Sequence, residues 1–176
     1  MAGSLIKIDE EIVTSAVATI TVGGANWDSS YDVYMVKVNN LTIDTNGQNP
    51  VIRFLDSSNN PVTSANYNWA RKILKSDASF GNGNLQNATL DYFVNNGMNT
   101  TTGQSASGIL YLFNFNNTGE YSFYTVEEIN RHATGALQGL QGGGVLKLAA
   151  QHKGVEFGVT SGNYTGGSVV LYGLKK

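Results

Sequence analysis

Cysteine is absent from the 176 residues, which removes disulfides, zinc–thiolate sites and thiol catalysis together. Histidine is nearly absent. His132 and His152 stand alone, without the HxH or HExxH spacing that sets two imidazoles on one metal. Charged residues make up 14%, against about 25% in ordinary soluble domains. The formal net charge is −2 with no basic stripe, so nucleic acid is a poor partner. No apolar run approaches the ~18 residues of a membrane-spanning helix, so no membrane insertion is expected. The opening MAGSLIKIDEE shows no basic stretch leading into an apolar one, and a product made in the cytoplasm is expected.

What replaces charge is glycine, with 21 copies, and an abundance of Asn, Ser and Thr. Residues that favour turns and strands therefore outnumber helix formers on polar faces. The length predicts one domain, 1–176, large enough to need no metal or disulfide staple.

Strand patterns recur along the chain. Ile12 to Val22 alternates with period two until Gly23-Gly24 stops it. Tyr31 to Val38 (YDVYMVKV) is apolar on both faces, as an interior strand is. Val51 to Asp56 lies between the turn signals NGQNP and SSNNP. Tyr67 to Lys75 fits a strand through Tyr67, Trp69 and Ile73 and a helical stripe through Tyr67, Ala70 and Leu74; its neighbours favour the strand. Ile109, Tyr111, Phe113 and Phe115 share a face, and Tyr121, Phe123 and Thr125 follow across NNTGE, which predicts a hairpin. Val145 to Ala149, Val155 to Thr160 and Ser168 to Leu174 complete the set. The final run is expected to be tied into a sheet rather than left as a loose terminus.

Other segments read as non-strand. Ser76 to Ser107 holds two polar, glycine-bearing stretches expected to form exposed loops, with a short strand or helical turn at Leu90 to Val94. Glu127 to Thr134 has room for a brief helix, which would bring His132 near Glu127 and Glu128. GALQGLQGGG after it reads as a loop. About nine or ten strands with short turns predict an all-β antiparallel β-sandwich, in its simplest form a jelly roll.

The search for chemistry finds little. Gly81 to Gln86 falls short of a GxGxxG phosphate loop and lacks the strand and helix that would frame one. DSSNN, Asp56 to Asn60, fits a β-turn better than a calcium loop. Asp32, Asp91 and Glu156 are scattered singly rather than paired as a glycosidase requires. No catalytic residue, metal ligand or cofactor is expected. Aromatics are the remaining cue. Most Phe and Tyr fall on strand faces and are expected in the core. Trp27, in GGANWDSS, can cap one end of the sandwich. Exposed instead beside Asp28, it would suit a shallow sugar site, and Trp69 is a second candidate. Trp27, Asp28 and Trp69 are thus the candidate glycan contacts.

Three stretches together carry a resemblance: the long early strand leading into W-D-S-S-Y-D-V-Y, then V-I-R-F-L-D, then S-G-N-Y-T-G-G-S-V-V-L-Y-G-L-K-K. They resemble small jelly-roll modules in virion structural proteins of tailed bacteriophages, marine ones especially. That group has an early YDxY strand, here Tyr31 to Tyr34, and a closing LYG strand, here within Gly167 to Lys175; 76–107 is unmatched. The resemblance implies a non-enzymatic virion component, a head-decoration protein or a tail or fibre accessory, made in the host cytoplasm. It implies capsid or tail partners and self-association, with a trimer or particle-bound array expected. A glycan- or receptor-binding tail-fibre module is the alternative. An enzyme acting on polysaccharide would instead require two or three acids converging in one cleft.

Overall fold

The structure is a computed structural model that describes residues 4–77 and 80–175. Twelve strands form in order: β1 (Ser4–Ile12), β2 (Thr19–Gly23), β3 (Val33–Ile43), β4 (Pro50–Phe54), β5 (Tyr67–Lys75), β6 (Gly81–Ala88), β7 (Asp91–Tyr92), β8 (Ala106–Phe113), β9 (Ser122–Arg131), β10 (Leu137–Leu146), β11 (Gly154–Val159) and β12 (Tyr164–Lys175). One 3₁₀ turn, Gly24–Asn26, follows β2.

Every strand pair is antiparallel. Eight strands make one sheet, ordered β1-β12-β3-β8-β9-β10-β5-β6, and four make a second, ordered β2-β11-β4-β7. The expected all-β sandwich is present, with strands divided eight and four rather than as the eight strands of a simple double-sheet jelly roll. The smaller sheet covers one face of the larger. Between them lie Tyr34, Val36, Leu110 and Leu112 from the large sheet and Ile20, Ile52, Phe54, Val155 and Phe157 from the small one. Each buried side chain of this size stabilises the fold by about 1.5–3 kcal/mol. The Phe54 ring meets Phe115 edge-on at 4.8 Å and Tyr124 at 5.0 Å, a geometry that aromatic quadrupoles favour. Tyr67 ties the layers together: its hydroxyl accepts the Phe54 N–H at 2.9 Å and donates to the Val62 carbonyl at 3.3 Å.

The closing strand is interior, as expected. β12 pairs with β1 on one side and β3 on the other, and Val169 and Leu171 are fully buried. Lys175 ends it; Lys176 lies outside the described residues. Asn40, Asn59, Asn87, Asn96 and Asn114 all take positive φ, which short amide side chains tolerate best after glycine. Part of the asparagine excess is therefore backbone turning.

Four expectations are corrected. The segment Ile12 to Val22 is the end of β1 and then β2, on different sheets, joined by a crossing segment that Val13 and Val17 pin to Gly167 and Tyr164. Glu127 to Thr134 is no helix: its start continues β9, whose burial alternates strictly from Ser122 to Arg131. GALQGLQGGG is strand β10 for most of its length. Within 76–107, Gly81 to Ala88 is an edge strand; residues 78 and 79 lie outside the described residues.

Candidate functional site

The inner face of β9 carries Ser122, Tyr124, Val126, Glu128 and Asn130, while Phe123, Thr125, Glu127, Ile129 and Arg131 point outward. At its far end this is the reverse of the usual arrangement, with a carboxyl and an amide inside and Ile129 outside. Both halves of the inversion have consequences.

Inside, β5, β7 and β9 build a buried charge cluster. The Arg71 guanidinium donates to the Asp91 carboxylate and to the Tyr92 carbonyl. The Tyr124 hydroxyl and the Tyr92 N–H donate to the same carboxylate. Arg71 also sits 4.4 Å over the Trp69 ring. β10 makes room for this. A Cβ at Gly142 would lie 2.5 Å from the Arg71 Cβ, and one at Gly144 would lie 2.4 Å from the Tyr124 hydroxyl. Backbone is as close. A Cβ at Gly142 would lie 2.3 Å from the Ala70 carbonyl, one at Gly143 2.4 Å from that of Tyr124 and one at Gly144 2.6 Å from that of Asn68. The glycine run thus answers to the close approach of β5 and β9 on both sides.

Burial pushes the Asp91 carboxyl up to about 6 even though Arg71 pulls it back. Burial pushes the Glu128 carboxyl well up too, opposed by Arg71 and Asn130. His152 is the opposite case: burial lowers it to about 4, and its Nδ1 shares a hydrogen bond with the Ser122 hydroxyl at 2.8 Å. Stability from neutral His152 is lost as pH falls from about 6.5 towards 4. Stability from the neutral acids is full below their unfolded values near 4 and is lost as pH rises. Glu128→Gln, permanently neutral, is therefore expected to raise Tm by several degrees more at pH 8 than at pH 5. Thermal melts at the two pH values check this; an equal shift at both would mean that Glu128 ionises freely in the folded state.

Outside, strand register places side chains in a grid. Across β8, β9, β10 and β5 the rows are Phe113–Phe123–Val145–Asn68, Tyr111–Thr125–Gly143–Ala70, Ile109–Glu127–Gln141–Lys72 and Ser107–Ile129–Gly139–Leu74. Gly143 and Gly139 leave the β10 column low, so a trough runs along it between higher walls. Over its upper end lies an open groove of about 620 Å³ lined by Phe113, Phe123, Thr125, Gly143, Asn68 and Asn84. Phe123 is 47% and Ile129 51% exposed, and Leu137 and Leu74 lie beyond them. Gln141 and Glu127 bridge the middle of the trough at 2.8 Å. Isolated exposed hydrophobics are ordinary, but a contiguous set on one sheet face marks a surface that something covers.

Most Phe and Tyr are expected in the core, and Tyr111, Phe113, Tyr121 and Phe123 are exceptions, exposed or half-exposed. The candidate glycan residues are not brought together. Trp27 is half-buried against Tyr34, 4.0 Å between ring centroids, and its Nε1 donates to Asn116 at 2.9 Å. It caps the end of the sandwich, the plainer of the two readings. The Asp28 carboxylate accepts the Ser30 N–H at 2.9 Å within its own turn, and the Ser30 hydroxyl together with that N–H holds it below its usual value. Trp69, on β5, is 7% exposed and faces Arg71 and Tyr92 rather than solvent. Three strands separate it from the β3 tyrosine on which Trp27 packs.

His132 bonds Thr134 in the β9–β10 turn, away from the helical company of Glu127 and Glu128 expected for it. Of the scattered acids, Asp91 pairs with Arg71 and Glu156 lies 3.7 Å from Arg53. Asp56 closes its own turn by accepting the Ser58 and Asn60 N–H groups. Among the described residues no group of three or more His, Asp or Glu is placed to hold a metal ion, and no helix is long and apolar enough to cross a membrane. No protein-family model, curated protein or solved structure matches the chain.

Proposed function

We propose that this chain is a non-enzymatic structural component of a bacteriophage virion. In this reading it is an exterior sandwich module, a head-decoration protein or tail accessory, that works through protein–protein contacts on the outer face of its eight-stranded sheet. The observation that carries the mode of action is the set of exposed apolar side chains on the grid, Phe123 and Ile129 foremost, on a face the second sheet leaves uncovered. The virion setting rests on the strand and turn resemblance. Low charge suits contacts made by shape, apolar area and amide hydrogen bonds rather than long-range attraction.

The test pairs composition with mutation. Quantitative mass spectrometry of purified particles, against the major capsid protein, should find the chain in fixed copy number: hundreds for a head protein, a few dozen or fewer for a tail. Phe123→Asn with Ile129→Asn should keep the thermal stability within about 1 kcal/mol, since both side chains are exposed. The same pair should weaken incorporation at least tenfold, as loss of a central apolar anchor does. Absence from particles would sink the virion setting, and undiminished incorporation would sink the choice of face.

A second reading, a glycan- or receptor-binding tail-fibre module, draws on one observation: the amides of Asn68, Asn84 and Gln86 line the same groove as Phe113 and Phe123. It moves the sugar contact from Trp27 to Phe123, in a groove whose lining also includes Trp69. Sugar binding lost in the Phe123 variant would favour it.

A further inference from the structure

The eight-stranded sheet has two edges, and only one is guarded. On β1 the register slips between Lys7 and Asp9, and Asp9 turns away to bind the Gly23 N–H at 2.8 Å and Asn26 at 3.0 Å. Lys7, Glu10 and Glu11 add charge along β1, among the exposed Leu5, Ile6 and Ile12. A bulge and charges of this kind are what keep sheet edges from pairing with other chains. On β6, Gly81 to Ala88 carries no charged residue and no proline. It pairs with β5 in regular register from Gly81 to Leu85 and slips only beyond that. Asn82, Asn84 and Leu85 are exposed, and Phe80 just before the strand is 64% exposed. Arg71 is buried with Asp91, while Lys72 and Lys147 reach the strand and donate to the Asn82 amide at 3.1 Å and the Asn87 amide at 2.6 Å, so the strand's own side chains stay neutral.

We infer that β6 is a self-pairing edge, and that its occupant is the β6 strand of a second copy of this chain. The regular stretch has Gly83 at its midpoint. A two-fold axis there sets Gly81 against Leu85 and Asn82 against Asn84 of the other copy, with Gly83 on the axis. Two neutral strands meet without like-charge repulsion, and amide faces amide in the cross-strand pairs. A β1–β1 pair would instead bring two sets of Asp9, Glu10 and Glu11 together. The axis stands across the sheet, so the outer faces of both copies look the same way and the two large sheets continue as one. This isologous arrangement closes at two copies, in contrast to the trimer expected from sequence. It is independent of what covers the outer face.

The full chain tests it. Sedimentation equilibrium should show a concentration-dependent dimer. Asn82→Lys with Asn84→Lys, and separately Asn82→Asp with Asn84→Asp, should each weaken it at least about tenfold, because the two-fold sets like charges opposite one another. An equimolar mixture of the two variants should recover the dimer as a heterodimer. Thermal melts check that the exposed changes leave the fold intact, and the single Asn84→Lys should weaken pairing by a smaller factor if the double change does not fold. A wild-type monomer up to about 1 mM, dimers indifferent to the charges, or a mixture that stays monomeric would each overturn the inference. So would tighter association of the lysine variant, which would mean that β6 meets the acidic β1 edge head to tail.

Discussion

Arg71→Met is expected to cost about 3–5 kcal/mol of folding free energy, because it leaves the Asp91 carboxylate buried without its counter-charge. Asp91 is completely buried and Arg71 nearly so, so water cannot take over the lost partner. Asp91→Leu should cost about as much in the other direction, stranding a guanidinium that cannot be deprotonated. The double variant, with both charges gone and comparable volume in place, should recover most of the loss. Buried ion pairs replaced by apolar groups of similar size are often neutral in effect. Urea unfolding of the four proteins closes the cycle. Strongly non-additive values would establish Arg71 and Asp91 as one unit. An Arg71→Met cost under about 1 kcal/mol would mean that Asp91 is protonated in the folded state, the direction in which burial pushes it. Because Tyr124 also bonds Asp91, Tyr124→Phe should give an intermediate loss.

The strands readable in advance were those whose alternation put apolar residues inside. β3, β4, β11 and β12 have apolar side chains on the covered face and turn residues at their ends, and pattern and position agree. β5 was readable too, although its inner face includes Arg71, because Tyr67, Trp69 and Ile73 hold the period. The missed strands break that rule for identifiable reasons. β1 is mostly exposed, and its charges hide the alternation. β6 is an edge of asparagine and glycine with almost nothing to bury. The far half of β9 buries Glu128 and Asn130, so a hydrophobic pattern points the wrong way. β10 contributes backbone where neighbours contribute side chains. The candidate site was hidden by the same ambiguity. Alternation tells that Phe113 and Phe123 share a face, but not which face the four-stranded sheet will cover. That depends on pairings between residues far apart in the chain, such as Val155 with Phe54 and Val22. The buried cluster was foreshadowed only by Asp91 standing alone in a run of apolar residues.

The glycines of β10 turn this into a second large effect. Gly142→Ala would set a methyl 2.3 Å from the Ala70 carbonyl and 2.5 Å from the Arg71 Cβ. Neither can retreat, since one is backbone in the β5 ladder and the other is held by Asp91. Gly144→Ala would set one 2.6 Å from the Asn68 carbonyl and against the ring of Tyr124. Each is expected to destabilise by about 2–4 kcal/mol, at or above the usual cost of overpacking because backbone must shift. Gly139→Ala, in the same strand, meets nothing nearer than 3.7 Å and should be neutral or slightly stabilising, since alanine restricts the unfolded chain. A loop would have tolerated all three alike. Urea midpoints of the three variants separate the cases: the expected order is Gly139→Ala above or near wild type and the other two well below. The contrast carries over to the outer face. A methyl at residue 139 partly fills the lower end of the trough while leaving the fold intact, so Gly139→Ala isolates the shape of that surface from the stability of the protein beneath it. Reduced incorporation into particles by this variant, at unchanged stability, would place the binding contact along β10 itself rather than only on its aromatic walls.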